Sequence, residues 1–339
     1  MDREAFCRQS KVLVVAGKGG VGKTTVAAAL ARMAADVGLD VLLVALDSSG
    51  ALPALFGVEE GLSYEEETVY GSYLAAGDGD EATATHTRGS VQARVITPDD
   101  ALLEYLMDHG LKRVAKRLVS TGVLDVVATA IPGIREILVL GKVKQIERSG
   151  DADLVVLDAP ATGHAVRFLT SASGLMDAAR GGPLRSQAAD VVEMLHDPER
   201  CQVMLVTLPE ETPVNELIET AYRFEDEVGV LLMPVAVNAC YPTIEGLGAD
   251  VAEVASIAGE QVPAEELVAL GCAASFRRGR EQLQEEQIAR LSAELPLPQL
   301  RLPYVFESEI GPEQIGPLAE ALGRAIDALP EDARVREAG

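Results

Sequence analysis

Tryptophan is absent from this chain, and aromatic residues make up only 4% of its 339 positions. A core must therefore be filled by Ala, Leu and Val, which suits helices packed on a parallel sheet. Apolar residues reach 48%, ample for a sizeable core. Basic residues are also scarce: 29 Lys and Arg stand against 53 Asp and Glu, a formal charge of −24. That balance argues against nucleic acid as a partner, where Lys and Arg must neutralise phosphates, and against an anionic membrane surface. The four cysteines, Cys7, Cys201, Cys240 and Cys272, form no CxxC. Free thiols in a reducing cytosol are the expectation, with neither a zinc ribbon nor a redox motif. The opening MDREAFCRQS lacks the apolar segment of a signal peptide. No apolar run approaches the roughly 18 residues of a membrane span. The expectation is a cytoplasmic protein with no direct membrane span, acting at a membrane only through a partner.

What is present is a run of short apolar strands. Val12–Ala16 is a continuous apolar segment between Lys11 and Gly17, as a buried parallel strand reads. An Ala-rich helix over Thr24–Val37 follows, then a second buried strand, Val41–Leu46. Strand, helix and strand in about 36 residues make a βαβ unit. Further strand candidates are Arg94–Thr97, Leu154–Asp158, Val203–Leu208, Val228–Val237 and Leu300–Tyr304. The fold class expected is α/β, a doubly wound, mostly parallel sheet of about seven or eight strands, in one domain over 1–339. Residues 98–150 and 169–200 read as helical insertions forming a subdomain on one side of the sheet. The tail 330–339 reads as frayed, and Gly77–Ser90 as a polar loop.

Between the first strand and the first helix stands Gly17-Lys18-Gly19-Gly20-Val21-Gly22-Lys23-Thr24-Thr25, which satisfies G-x-x-x-x-G-K-[ST] in the context that gives the motif meaning. The glycines let backbone N–H groups turn inward around phosphate oxygens, and the helix N-terminus adds its positive dipole end. Lys23 is expected on the β and γ phosphates of ATP, and the Thr24 hydroxyl on Mg²⁺. Lys18, a second lysine inside the loop, suits charge stabilisation of the transferring phosphoryl group. The segment LVVLDAPATGHAVRFL from Leu154 to Leu169 is an apolar strand ending in Asp158, a Walker B pattern that supplies a carboxylate for the metal. Pro160 and Gly163 are expected to shape a turn that senses the γ-phosphate, with His164 as a polar switch residue rather than a ligand.

GKGGVGKTT together with DAPATGHAVRFL resembles the ArsA/Get family of ATPases, the arsenite-pump and tail-anchored-protein targeting type with a deviant Walker A loop. The resemblance implies a dimer, homomeric or with a related ATPase, in which Lys18 reaches the partner's nucleotide. It implies that Asp47 polarises the attacking water, that Asn238 reads the base, and that Pro303 and Tyr304 belong to an adenine loop. Ile131-Pro132-Gly133-Ile134-Arg135-Glu136 resembles a segment of the family's helical region. It further implies coupling of nucleotide state to a membrane-protein client or membrane partner. Two departures stand out. Where the family's switch continues Asp-Pro-Ala-His-Asn, this chain has Asp47-Ser48-Ser49-Gly50-Ala51, and the zinc-binding CxxC of the eukaryotic targeting factors is missing. Arsenite requires clustered thiolates, and no cysteine lies between Cys7 and Cys201. Leu102, Leu106, Met107, Leu111, Leu118, Met176 and Met194 offer apolar positions for a client groove, although helical apolar stripes are usually core. Two other readings are a nucleotide-binding, weakly hydrolysing subunit of a heteromeric ATPase and a partition or positioning ATPase.

Overall fold

The computed structural model describes residues 1–46, 51–59, 61–71, 89–108, 110, 112–113, 133–178 and 181–330. Among the described residues nine strands form one sheet in the order β3-β4-β2-β5-β1-β6-β8-β9, with β7 attached to β6. They are β1 Val12–Gly17, β2 Val41–Ala45, β3 Glu67–Gly71, β4 Ser90–Val95, β5 Leu154–Ala161, β6 Cys201–Thr207, β7 Leu231–Leu232, β8 Val235–Cys240 and β9 Gln299–Pro303. All pairings are parallel except β3 with β4. Strands β1, β2 and β6 are buried at every position, which explains the unbroken apolar sequence of β1 and β2.

Alternate residues of those strands enter two separate cores. Val12, Val14, Leu42, Val155 and Val203 face a layer containing Pro98–Asp108, Ile134–Ser149, Thr162–Ala178, Pro183–His196 and Glu211–Arg223. Leu13, Val15, Leu43, Val156 and Met204 face the opposite layer, where the helices Lys23–Asp36 and Pro312–Asp327 pack together. The described helices of regions 98–150 and 169–200 stand in the connections from β4 to β5 and from β5 to β6 and pack on a single face. Of the apolar positions named for a groove, Leu102 and Met194 are core. Leu106 and Met176 lean on that core, while Met107 is exposed; Leu111 and Leu118 lie outside the described residues.

Three sequence expectations change. The edge strand β3 was missed because its residues are exposed or half-buried. The segment Val228–Val237 is not one strand: Gly229 takes a left-handed φ of 69° that closes a π-helical turn over Phe224–Val228, and Pro234 separates β7 from β8. Finally, no turn follows Asp158. β5 runs on to Ala161 with a register irregularity against β1, and a helix starts directly at Thr162. Among the described residues no helix is long and apolar enough to cross a membrane.

Candidate functional site

The carboxyl ends of β1, β5, β6, β8 and β9 meet where the strand order reverses around β1, the position at which open parallel sheets bind ligands. β1 ends at Gly17, whose missing side chain is required: a β-carbon there would sit 2.4 Å from the carbonyl oxygen of Val206 on β6. The loop then turns through Gly20 and Gly22, at φ of 84° and 86°, and the Lys23–Asp36 helix begins at once. Only glycine adopts such angles without cost. Gly22 also admits Asn238, because a β-carbon on it would lie 2.3 Å from Asn238 Nδ2. Positions Gly19 and Gly20 face open space. A loop open at its mouth and braced from behind is the cradle that phosphate oxygens require.

Inside the loop, Lys23 Nζ donates to the carbonyl of Lys18 at 3.1 Å. Burial lowers the Lys23 pKa, and the neighbouring Asp158 carboxylate opposes that shift. Thr24 Oγ1 donates to Asp158 Oδ2 at 2.7 Å. The other oxygen, Asp158 Oδ1, is buried with no hydrogen-bond partner. Burial raises the Asp158 pKa against the Thr24 hydrogen bond and the Lys23 charge. A buried carboxylate with a free oxygen next to a threonine hydroxyl is a hard oxygen donor pair, which fits Mg²⁺. One protein carboxylate is in keeping with how that ion binds, its other ligands coming from water and phosphate. Among the described residues no group of three His, Cys, Asp or Glu side chains could hold a metal by itself. His164 is exposed at the start of its helix.

Lys18 does not hang free in solvent. Its Nζ forms an ion pair with Glu216 Oε1 at 2.5 Å, on the Glu211–Arg223 helix. Asp47 and the residues Ser48 to Gly50 lie outside the described residues. β2, which leads to them, pairs Ala45 with Asp158.

Asn238, Pro303 and Tyr304 line a cleft of about 370 Å³ together with Gly20, Val21, Gly22 and Thr25. Asn238 Nδ2 donates to the carbonyl of Val21 at 3.0 Å, tying the end of β8 to the glycine loop. The next residue, Ala239, has φ of 58°, the one positive value at a non-glycine among the described residues. Gln284 holds that strained turn from both sides: Nε2 donates to the Ala239 carbonyl at 3.1 Å, and Oε1 accepts from the Tyr241 amide at 2.7 Å. Tyr304 donates its amide to the Cys240 carbonyl at 2.8 Å. Tyr241, Tyr304 and Phe306 form an aromatic group, with the Arg277 guanidinium 4.0 Å from the centroid of the Tyr241 ring. Glu216, Gln284 and Tyr241 were not singled out from sequence. No motif surrounds them, and only the fold brings them to the loop.

The sequence profile of the family described as "Anion-transporting ATPase" matches residues 10–179. ATPase BagA of Mycobacterium tuberculosis is 35% identical over 229 residues, covering 66% of this chain and 62% of that protein. A putative arsenical pump-driving ATPase of Halobacterium salinarum is 26% identical over 343 residues, 96% of this chain and 46% of the relative. ATPase get3 of Schizosaccharomyces japonicus is 30% identical over 190 residues, 54% of this chain and 52% of the relative. In each case the match spans less than two thirds of the relative's length. The glycine loop with its two lysines, the Asp158 strand and the helix after it all fall inside the matched profile, and the chain belongs to the anion-transporting ATPase family.

Proposed function

We propose that this protein binds ATP with Mg²⁺, hydrolyses it, and works as a dimeric switch of the ArsA/Get type. The observation that carries the reading is the Thr24–Asp158 contact at the mouth of the glycine loop, with Asp158 Oδ1 buried and unpaired. When bound, Mg²⁺ would be held by Thr24 and Asp158 and would neutralise phosphate charge. The loop backbone from Gly19 to Thr25 binds the phosphates, and Lys23, desolvated and pointed back along the loop, supplies a fixed positive charge. Asn238, Pro303 and Tyr304 hold the base in the cleft they share with Gly20 and Gly22. In hydrolysis, a water oxygen bonds to the γ-phosphorus as the bond from that phosphorus to the bridging oxygen breaks, leaving ADP and phosphate. Asp47 accepts a hydrogen bond from that water and orients it. Lys18 stabilises charge on the transferring group, reaching the nucleotide of the second subunit.

Purified protein with Mg²⁺ and ATP tests this directly. Lys18→Ala and Asp47→Asn are expected to lower turnover by about a hundredfold or more while ATP still binds. Unchanged turnover in both variants would overturn the mechanism. The coupled partner is a membrane-protein client or a membrane component, and recovery of single-span membrane proteins on co-purification supports that part. An arsenite cargo has no support in the thiols: Cys7 and Cys201 are buried, each with its pKa pushed up to about 12.

A second reading, a subunit that binds ATP but hydrolyses it slowly alone, is favoured by one observation. Lys18 is engaged by Glu216 of its own chain. Tight ATP binding with negligible turnover, restored by a related ATPase, would select it.

A further inference from the structure

The Ala264–Glu294 helix is buried along one stripe, Gln284, Ile288 and Leu291, the i, i+4, i+7 spacing of a single helix face. The first member of that stripe is an amide. Gln284 is 7% exposed, while Leu283 beside it is 53% exposed. Burying the amide and leaving the leucine in solvent is unfavourable unless the amide makes hydrogen bonds that the position demands. Both of its polar atoms do: Nε2 donates to the Ala239 carbonyl at 3.1 Å, and Oε1 accepts from the Tyr241 amide at 2.7 Å. Those two backbone groups flank an irregularity at the end of β8. Val237 pairs with Arg301 and Cys240 with Pro303, so three steps along β8 match two along β9. One residue is extra, a bulge, and Ala239 takes its left-handed φ of 58° there. A bulge leaves backbone groups without a ladder partner, and Gln284 supplies both partners.

A bulge re-aims the side chain next to it. Here that side chain is Asn238, whose Nδ2 donates to the Val21 carbonyl at 3.0 Å. A carbonyl only accepts, so this bond fixes which end of the amide faces the glycine loop. One amide hydrogen and Oδ1 are left for a ligand in the cleft that Asn238 lines, a donor beside an acceptor. That pair complements the 6-amino edge of adenine and opposes the carbonyl of a 6-oxo purine. Turning the amide over to suit the 6-oxo base would set its oxygen against the Val21 carbonyl. We propose that Gln284 is a positioning residue for base selection. By holding the Ala239 turn it keeps Asn238 on Val21, and it thereby sets a preference for a 6-amino over a 6-oxo purine. The inference rests on the proposal above that Asn238 holds the base of ATP. Gln284 acts through the turn and not on the nucleotide, because both of its polar atoms are already used.

Full-length protein is titrated calorimetrically with the Mg²⁺ complexes of ATP, ITP and tripolyphosphate. ITP carries a 6-oxo purine, and tripolyphosphate probes the glycine loop alone. The wild type is expected to bind ATP about tenfold or more tighter than ITP. Gln284→Leu keeps the apolar stripe and removes both hydrogen bonds. It is expected to bring ATP and ITP to within about threefold of each other, while tripolyphosphate affinity stays as in the wild type. Adding Ala239→Gly, which takes the left-handed turn without strain, is expected to restore most of the preference. If Gln284→Leu does not fold, Gln284→Glu takes its place: it keeps the bond from Tyr241, loses the one to Ala239, and narrows the preference in the same direction. An unchanged preference in the folded variant overturns the inference and leaves the nucleotide site standing. So does an equal loss of all three ligands, which would make Gln284 a brace of the whole loop. A wild type that binds ATP and ITP equally removes base reading by Asn238 and the role of Gln284 together. One that binds none of the three overturns the ATP reading itself.

Discussion

At Asp158, burial and use pull in opposite directions. Burial raises the pKa of this carboxyl above its ordinary value, against the pull of Thr24 and Lys23. The folded protein therefore favours the protonated form more than the unfolded chain does. That contribution to stability is present below the unfolded pKa and is lost as pH rises through the folded one. Above the folded pKa the charge is held at a cost, with one oxygen unpaired. Asp158→Asn is expected to raise the melting temperature of the nucleotide-free protein and to flatten its acid-side stability profile between the unfolded and folded pKa values. The same change should cut Mg²⁺-dependent turnover by about a hundredfold or more. Calorimetry and a Mg²⁺ titration check the two halves, and a destabilised variant would mean that the carboxylate is structural. Glu216 poses a different question. Its ion pair with Lys18 is more than a third exposed on each side, so breaking it costs only about 0.2–1 kcal/mol. Glu216→Gln is expected to raise steady-state turnover about two- to fivefold by freeing Lys18. A drop in turnover would instead make Glu216 a residue that positions Lys18.

At the level of elements, sequence and structure agree where the pattern is set locally. β1, β2, β5 and β6 are apolar because both faces are covered, and the glycine loop is readable because each glycine answers a local demand, as Gly17 does against Val206. Asp158 is readable for the same reason, as the first acidic residue after an apolar strand. What could not be read depends on contacts distant in sequence. Lys18 and Glu216 are 198 positions apart, and Asn238 reaches Val21 across 217. β3 escaped because an exposed edge strand lacks the apolar run. The break at Gly229 and Pro234 was hidden by apolar residues on both sides. The entry to β4 shows a further constraint of this kind. A β-carbon on Gly89 would lie 1.8 Å from the carbonyl oxygen of Leu39, so the chain passes backbone against backbone. Gly89→Ala is expected to destabilise the fold by about 1–3 kcal/mol. Gly141→Ala meets an equally close atom, but that atom is the end of the Gln187 side chain, which can swing aside. Denaturant melts of the two variants should differ accordingly, and equal losses would show that the Gly89 backbone yields.

For the whole molecule the dominant quantity is a formal charge of −24 on each copy. Two such bodies repel over a distance that depends on salt. The screening length is about 30 Å at 0.01 M, about 10 Å at 0.1 M and about 3 Å at 1 M. Repulsion between bodies is therefore largely removed by about 0.15 M. Opposite charges in contact across an interface lose their attraction only at much higher salt. Apolar contact across an interface is not weakened by salt at all. The proposed dimer, formed with Mg²⁺ and ATP, is accordingly expected to tighten from 0.01 M to about 0.15 M and then to weaken toward 1 M. Sedimentation equilibrium across that salt series separates the terms. If association only strengthens with salt, charges in contact contribute nothing to pairing and apolar surface alone holds two copies together.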